Sequence, residues 1–225
     1  MKIANYIKNS LIDYPGHIAS VVFTAGCNWN CWYCLNRSII DKNVQTNVSE
    51  QEFFDFLKSR KGWLDGIVVC GGEPTLHKDL IDFIKNIKEY GYDVKLDTNG
   101  TCPSMLKMLV EEKLIDYVAM DIKAPFEKYN QIVKLKDEKD IQIDNVKESI
   151  NYLLLNKIPY EFRTTVSPDL SIDDITEIAK EIKGASKYFL QPYKKPTEES
   201  PFPKEPKEME EMKELCNEFV PTFIR

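Results

Sequence analysis

The chain of 225 residues has little histidine, no long apolar run and no excess of positive charge. Its two histidines, His17 and His77, lie in no recognisable triad context, so nucleophilic Cys–His catalysis is not indicated. The longest nearly unbroken apolar run, residues 18–26, is far shorter than the roughly 20 residues that a membrane-spanning helix needs. We therefore expect no membrane span.

The composition and the start of the chain limit the classes of partner and the cellular compartment that we expect. The formal net charge is −6, which argues against nucleic acid or anionic lipid as the main partner, because both select basic surfaces. A hydrophobic fraction of 43% with 29% charged residues is typical of a soluble globular protein. The start of the chain lacks a signal-peptide core, so we expect a cytoplasmic protein whose reduced cysteines serve metal or redox chemistry rather than disulfides.

Three of the six cysteines, Cys27, Cys31 and Cys34, are spaced as C-x3-C-x2-C. Three thiolates on one short loop can hold three corners of an iron–sulfur cube and leave the fourth iron open to a ligand. Two other interpretations stay open. Cys31 and Cys34 could form a redox dithiol, or the three cysteines and His77 could bind a structural zinc ion.

Short β-branched apolar segments alternate with amphipathic segments along the chain. The predicted strands are residues 18–24, 66–70, 92–96, 117–120, 160–166 and 187–190. The predicted helices are a capped helix after Ser49 and residues 78–90, 103–113, 143–155 and 172–182. This alternation predicts a parallel sheet with right-handed crossovers. Six units are too few for a closed eight-stranded barrel, so the predicted fold is an α/β partial (β/α)6 TIM-like barrel over residues 1–193. Residues 194–225 are predicted to be a Pro-rich extension followed by a helix.

Polar or glycine-rich segments follow all six predicted strands. They are the cysteine loop, Gly71–Pro74, Asp97–Gly100, Asp121–Lys123, Arg163–Thr165 and Gln191–Tyr193. Active sites of parallel β/α barrels lie at the carboxyl ends of the strands. The sequence therefore predicts one active site in which these six segments meet.

These motifs carry a resemblance to a known family. The cysteine spacing, Tyr33 before the third cysteine and the Gly71-Gly72-Glu73-Pro74 segment resemble the radical S-adenosylmethionine (SAM) superfamily. Over roughly residues 3–195 the chain resembles the glycyl-radical-enzyme activating proteins, and most closely those of anaerobic ribonucleoside-triphosphate reductase. Further carrying segments are residues 10–16, 23–27, 96–100, 121–123, 162–166 and 191–193.

The resemblance implies a role for each matched residue. Cys27, Cys31 and Cys34 would bind a [4Fe–4S] cluster whose open iron chelates SAM. The residues implied in SAM binding are Tyr33 near the adenine, Gly71, Gly72 and Glu73 at the amino group, Asp97, Thr98 and Asn99 at the third strand end, Lys123 and Arg163 at the carboxylate, and Gln191 at the last strand end. Some activating enzymes hold a monovalent cation near the position of Asp97. The residues implied in catalysis are Lys123 and the two acids that would contact the incoming peptide, Asp13 and Asp121.

The resemblance also implies a reaction and partners. A flavodoxin or ferredoxin would reduce the cluster, SAM would cleave to methionine and a 5′-deoxyadenosyl radical, and this radical would take a Cα hydrogen from a glycine of a partner glycyl radical enzyme. The cofactors supply this chemistry, and the protein orients them.

Some positions depart from related patterns. Leu35 and Lys194 stand where formate-lyase activating enzymes have histidine, and no second cysteine-rich insertion is present. The alternatives are an activating enzyme of another glycyl radical enzyme, such as pyruvate formate-lyase, or a small-molecule enzyme such as 7-carboxy-7-deazaguanine synthase. A non-catalytic zinc or iron–sulfur module is the alternative from another class.

Overall fold

The computed structural model describes residues 1–41, 43–46, 48–135 and 142–225. The strands are β1 (Ile3–Ser10), β2 (Ala19–Thr24), β3 (Gly66–Gly71), β4 (Asp93–Thr98), β5 (Tyr117–Asp121), β6 (Tyr160–Val166), β7 (Tyr188–Pro192) and β8 (Thr222–Ile224). The helices are α1 (Glu50–Ser59), α2 (Leu80–Glu89), α3 (Pro103–Glu111), α4 (Tyr129–Val133), α5 (Ile143–Leu153), α6 (Ile172–Glu181) and α7 (Pro206–Cys216). Short 3₁₀ turns cover Arg37–Ile39, Pro74–Leu76 and Phe126–Lys128.

The strands form one sheet in chain order from β1 to β8. β1 runs antiparallel to β2, and all later neighbours are parallel. Among the described residues β1 and β8 are the two edges of the sheet and do not pair with each other. The prediction of a partial (β/α) barrel with six parallel strands, β2 to β7, is therefore confirmed, and the barrel is open between β1 and β8.

Two strands were not expected from the sequence. In β1 only Ile3 is buried, while Asn5, Ile7 and Lys8 are exposed. Its backbone becomes a strand because it pairs with β2, for example Tyr6 with Val22. β8 has only three residues and forms by pairing with β7. Both strands result from tertiary pairing at the edges of the sheet, so neither carries the apolar signature of a buried strand.

The helices cover the outer face of the sheet, and α1 and α6 begin at serine caps. The Ser49 hydroxyl accepts a hydrogen bond from the Glu52 N–H at 3.1 Å, and α1 then buries Phe53 and Leu57. α6 begins with a reciprocal capping box between Ser171 and Asp174. Within the described ranges, no helix has both the length and the apolar character needed to cross a membrane.

The inner face of the sheet has a small apolar cluster of its own. It consists of Tyr14, Ala19, Val21, Val68 and Tyr117. Ala19 and Tyr117 begin their strands, so this cluster fills the barrel interior toward the amino ends of the strands. The carboxyl ends of the strands are left for polar side chains.

The carboxyl-terminal segment packs against the barrel. α7 buries Met209, Met212 and Cys216, and the Cys216 thiol lies 3.5 Å from the Ile175 carbonyl oxygen of α6. β8 adds to the sheet beyond β7. The boundary at residue 193 stays a prediction, with the qualification that the extension contributes a strand to the barrel sheet.

Positions 71 and 72 require glycine, because backbone atoms of neighbouring segments occupy the space that a Cβ atom would need. A Cβ atom on Gly71 would lie 2.3 Å from the Thr24 backbone nitrogen, and one on Gly72 would lie 2.0 Å from the Gly26 carbonyl oxygen. Gly71 also has a φ of +119°, which side chains rarely adopt. The Gly72 N–H donates to the Thr24 carbonyl at 2.9 Å. The two glycines thus allow the loop after β3 to lie directly on the segment that leads into the cysteine loop.

We expect Gly72→Ala to lower the free energy of unfolding by about 2–3 kcal/mol, because its Cβ has no room beside backbone that cannot rotate away. Gly91→Ala is the control for a substitution without a steric clash, since no atom lies within 4 Å of the Gly91 Cβ position; Gly91 has a positive φ (+86°), which Gly72 does not. Gly91→Ala should lower the free energy of unfolding by about 1 kcal/mol, which is the cost of the left-handed backbone conformation alone. Urea denaturation of the metal-free proteins measures both, and equal losses would contradict the packing argument.

Candidate active site

A cavity of about 830 Å³ lies at the carboxyl ends of the strands. Its size is within the range of about 300–1,000 Å³ that is typical of small-molecule and cofactor sites. Every residue that the sequence predicts for the site lines this cavity: Asp13, Cys27, Cys31, Tyr33, Cys34, Gly71, Gly72, Glu73, Asp97, Thr98, Asn99, Asp121, Lys123, Arg163 and Gln191. The fold therefore brings the six strand ends and the segment after β1 together, as the sequence predicts.

The cysteine loop is held from two sides. Its Asn30 and Trp32 N–H groups donate to backbone carbonyls of α4, Val133 at 3.0 Å and Ile132 at 3.3 Å. The Gly26 N–H, at the start of the loop, donates to the Ile39 carbonyl at 2.7 Å. Backbone bonds of this kind define the path of the loop independently of any bound metal.

All three loop cysteines are free thiols in the cavity. Burial raises the pKa of Cys27 to about 12 and that of Cys31 to about 11. Metal ligation requires the thiolate, so metal binding at these positions releases protons and replaces a buried neutral thiol by a compensated charge. The donor set of three thiols suits an iron–sulfur cluster.

The zinc interpretation fits less well. Among the described residues, no three His, Cys, Asp or Glu side chains converge on one point as ligands of a single ion. The histidine that this interpretation requires, His77, does not line the cavity, and its Nε2 atom lies 2.9 Å from the Ala25 carbonyl oxygen. With His77 outside the cavity, the zinc interpretation lacks its fourth ligand.

Five charged side chains form an alternating series across β4, β5 and β6. The Asp97 carboxylate accepts from the Lys95 ammonium and, at 2.8 Å, from Arg163 Nη1. Asp121 accepts from Arg163 Nε and from Lys123 Nζ, each at 2.8 Å. We call this the charge series: Lys95, Asp97, Arg163, Asp121 and Lys123. Arg163 is its centre, because its guanidinium joins two carboxylates from neighbouring strands.

The pairing controls protonation in the series. Burial alone would raise the pKa of Asp121, but the charges of Arg163 and Lys123 outweigh burial and hold this pKa well below its usual range. Burial alone would lower the pKa of Lys123, and the Asp121 carboxylate instead raises it well above its ordinary value. Asp121, Lys123 and Arg163 therefore stay charged at neutral pH. Lys95 does not line the cavity, so the members of the series that face it are two cations and two carboxylates.

The charge series gives no support to a monovalent cation at Asp97. Both oxygens of this carboxylate already accept hydrogen bonds from cationic groups, Lys95 on one side and Arg163 on the other. A metal ion there would lie beside two cationic groups, whose charges oppose its binding. Lys95 was not predicted as a site residue. The available signal was its position two residues before Asp97 in β4, which puts both side chains on one face of the sheet.

The Glu73 carboxylate is fully hydrogen-bonded within the protein. It accepts from the Thr75 N–H (3.1 Å) and hydroxyl (2.6 Å), and from the Thr98 hydroxyl and Asn99 N–H (both 2.7 Å). Only 1% of Glu73 is exposed, and this burial raises its pKa although the four donors oppose the shift. A carboxylate accepts about four such bonds. Glu73 therefore connects the loop after β3 to the end of β4 and can act on a bound ammonium group only through its charge.

Two phenol groups at the cavity have no partner among the described residues. The Tyr33 and Tyr193 hydroxyls are buried and unpaired, and their rings meet edge to face with centroids 6.4 Å apart. Both residues line the cavity. Buried donors without partners are costly, so this corner is suited to a polar ligand that bonds them. The sequence motif included Tyr193, but only Gln191 was predicted as a site residue there.

The two acids predicted to contact a peptide have different surroundings. Asp121 belongs to the charge series and is held by two cations. Asp13 lies at the rim of the cavity, where one of its oxygens accepts a hydrogen bond from the Ser10 hydroxyl. Ile12 beside it is 81% exposed and also lines the cavity. Of the two acids, Asp13 is therefore better placed to meet a macromolecule.

We expect Arg163→Met to lower the free energy of unfolding by about 3 kcal/mol at neutral pH, because it leaves two partly buried carboxylates with one cation each. The pKa of Asp121 is lowered in the folded state, so the stabilisation is present above the ordinary aspartate pKa of about 3.9 and is lost as the pH falls below it. The gap between wild type and variant should therefore narrow below about pH 4.

The control for this variant is Lys180→Met, which removes an exposed pair with Glu177 and should cost less than about 1 kcal/mol. Denaturant titrations at several pH values measure both variants. Equal losses, or a gap for Arg163→Met that does not change on acidification, would contradict the assigned role of the charge series.

Two curated relatives are similar to the chain. A candidate glycyl-radical enzyme activating enzyme of Methanocaldococcus jannaschii is 34% identical over 232 residues, covering 99% of this chain and 94% of the relative. A candidate GTP 3′,8-cyclase of Pyrococcus abyssi is 26% identical over 160 residues, covering 71% of this chain and 51% of the relative. The first similarity spans both proteins almost completely, and the second spans about half of the longer relative.

A solved structure and a family model are also similar to the chain. The crystal structure of Streptococcus suis SuiB bound to the precursor peptide SuiA shares the fold, with a TM-score of 0.70 at 12% identity, over 91% of this chain and 48% of that chain. The model of the radical SAM superfamily matches residues 21–182, from β2 to the end of α6. Since this match spans most of the chain and contains the cysteine loop and five of the strand ends, the chain belongs to the radical SAM superfamily.

Proposed function

We propose that the chain is a glycyl-radical-enzyme activating enzyme that acts on a glycine in a partner protein. The observation that carries the proposal is the position of Asp13. This residue comes from outside the six β–α units and reaches the same cavity as Cys27, Cys31 and Cys34. An acid beside the exposed apolar side chains Leu11 and Ile12 suits a polypeptide rather than a small metabolite. The near full-length similarity to the Methanocaldococcus jannaschii relative supports the same function.

When bound, the cofactors would supply the radical chemistry: the one-electron reductive cleavage of SAM and the removal of a hydrogen atom from the glycine Cα, with methionine and 5′-deoxyadenosine as products and the radical left on the glycine. Cys27, Cys31 and Cys34 would hold the [4Fe–4S] cluster. The electron would come from a flavodoxin or ferredoxin. The task of the protein is to orient the reactants and exclude water, because a primary carbon radical reacts with almost any neighbour.

The site residues have proposed roles that follow from their charges and hydrogen bonds. Lys123 and Arg163, the two cations of the charge series that line the cavity, would receive the SAM carboxylate. The unpaired Tyr33 and Tyr193 hydroxyls would meet polar atoms of the nucleoside. Gln191, beside Tyr193 on the same rim, would add an amide contact. Gly71, Gly72, Glu73 and the Asp97–Asn99 segment would form the wall on the amino-group side.

Within this function we favour anaerobic ribonucleoside-triphosphate reductase as the partner. Leu35 and Lys194 line the cavity at the two positions where formate-lyase activating enzymes have histidine. An activating enzyme of another glycyl radical enzyme is the next alternative, followed by a small-molecule enzyme such as 7-carboxy-7-deazaguanine synthase. The third alternative, a non-catalytic metal module, predicts no SAM cleavage.

We expect Cys31→Ala to abolish SAM cleavage and to lower the bound iron, because the cluster loses one of three protein ligands. Cys102→Ala is the matched control, since Cys102 does not line the cavity, and it should keep both. Iron analysis and 5′-deoxyadenosine formation after anaerobic reduction measure the outcome. Full 5′-deoxyadenosine production by Cys31→Ala would mean that the cluster lies elsewhere.

We expect Asp13→Asn to reduce glycyl radical formation at least about tenfold while SAM cleavage without partner changes less than twofold, because the lost charge contacts the peptide and not the cofactor. Electron paramagnetic resonance (EPR) of a mixture with anaerobic ribonucleoside-triphosphate reductase, SAM and reductant measures the radical. Asp173→Asn, an exposed acid on α6, should behave as wild type.

Equal losses in radical formation and SAM cleavage would contradict the role of Asp13. If wild type cleaves SAM but forms no radical on this reductase, a panel of other glycyl radical enzymes tests the next alternative. If it forms a radical on none of them, the proposed activating function is wrong.

A further inference from the structure

Three polar side chains behind the cavity form a closed ring of hydrogen bonds. The Asn28 side-chain NH₂ donates to the Thr101 hydroxyl at 2.9 Å. That hydroxyl donates to the Asn99 side-chain oxygen at 2.7 Å, and the Asn99 NH₂ donates to the Asn28 side-chain oxygen at 2.9 Å. Each member therefore donates once and accepts once, which is the arrangement in which hydrogen bonds polarise one another. We call this set the amide ring.

The amide ring connects the cysteine loop to the wall of the cavity. Asn28 directly follows Cys27, whose sulfur accepts the Trp29 N–H at 3.4 Å. Asn99 is held in turn by the bond from its N–H to Glu73. A continuous path of side-chain and backbone bonds therefore runs from the loop after β3, through the end of β4, to the first cysteine.

Helix α5 supports the ring from outside. The Asn145 NH₂ donates to the Thr101 carbonyl at 2.9 Å, and the Ser149 hydroxyl donates to the Gly100 carbonyl at 2.7 Å. Thr101 is 1% exposed. The segment after β4 is thus fixed by a helix of the barrel, and the ring transfers that rigidity to the cysteine loop.

Two members of the ring have no direct access to a ligand. Asn28 and Thr101 are absent from the cavity lining, whereas Asn99 is part of it. Their hydrogen bonds satisfy groups that face the interior of the loops. Any influence of Asn28 or Thr101 on the chemistry must therefore pass through Cys27 and Asn99.

We propose that Asn28 and Thr101 are positioning residues that hold Cys27 in the geometry required by the iron–sulfur cluster. The inference rests on the cluster ligands Cys27, Cys31 and Cys34 and not on the identity of the partner protein. Without the ring, the Cys27 segment would lose its connection to β4, and the cluster would open to solvent and chelators. Residues that orient metal ligands typically change metal affinity or activity by about 10–100-fold when they are replaced.

Thr101→Val tests the proposal, because it keeps the shape of the side chain and removes the hydroxyl. We expect the anaerobically purified holoprotein to release iron to a ferrous chelator on the order of 10-fold faster than wild type. The EPR spectrum of the reduced cluster should also broaden, since Cys27 would occupy more than one position. Thr222→Val, which removes another buried hydroxyl that bonds only a nearby carbonyl, Val220, should match wild type.

Two further variants separate positioning from general damage. Thr101→Ser keeps the hydroxyl and should restore the slow iron release, whereas a packing defect would persist. Asn28→Ala should accelerate iron release at least as much as Thr101→Val, because it removes both ring bonds to the cysteine loop, whereas Thr101→Val keeps the bond from Asn99 to Asn28. The double variant should be no faster than Asn28→Ala alone, because no further ring bond to the cysteine loop remains to be lost. The thermal midpoint of the metal-free proteins gives the change in fold stability.

The experiments separate failure of this inference from failure of the proposed function. Wild-type iron release in both Thr101→Val and Asn28→Ala would overturn the proposal, and so would equally fast release in Thr101→Ser and Thr101→Val. Acceleration that only follows the loss of thermal stability, as judged against Thr222→Val, would also overturn it. A wild-type protein that holds its cluster but forms no glycyl radical would refute the proposed function and leave this inference intact.

Discussion

Charge placed inside the barrel must be paired, and Arg163 is the side chain on which that pairing depends. Its guanidinium joins Asp97 of β4 to Asp121 of β5, and each carboxylate has one more cation, Lys95 or Lys123. An isolated charge in this position would either be neutralised, by proton uptake at a carboxylate or proton loss at a lysine, or destabilise the fold. Because the pairs cross three neighbouring strands, the polar end of the barrel is ordered before any cofactor binds. The protein then offers a rigid surface on which two cations, Lys123 and Arg163, and two carboxylates, Asp97 and Asp121, line the cavity.

The cysteine loop depends on a second constraint, the close approach of backbone at Gly71 and Gly72. The sequence resemblance assigns these glycines to cofactor binding, and both do line the cavity. The structure adds that their missing side chains are required by Thr24 and Gly26, which lie against them. The same loop carries Glu73, whose carboxylate holds the end of β4. The segment that we propose for cofactor binding thus also packs the cysteine loop, and a substitution there would affect both.

Sequence alone predicted the six parallel strands and the helices that connect them, because buried strands are short and apolar and the helices between them are amphipathic. It also predicted which segments meet, since parallel strands end on one side of a sheet. It missed β1 and β8. These edge strands form because a neighbouring strand offers backbone partners, and their own composition does not indicate this.

The sequence by itself determined the donor set of the candidate site: three cysteines at cluster spacing, the glycine-rich loop after β3, and acids and bases at the strand ends. Only the tertiary structure decided how these groups are used. It paired Asp97 with Lys95 and Arg163, bonded Glu73 to Thr75, Thr98 and Asn99, left the Tyr33 and Tyr193 hydroxyls without partners among the described residues, and closed the ring of Asn28, Thr101 and Asn99. The physical reason is that residue types and spacing are local properties of the chain. The hydrogen bonds and charge pairs that join residues far apart in sequence, such as Arg163 with Asp97 and Thr98 with Glu73, form only once packing has put these residues within hydrogen-bond distance.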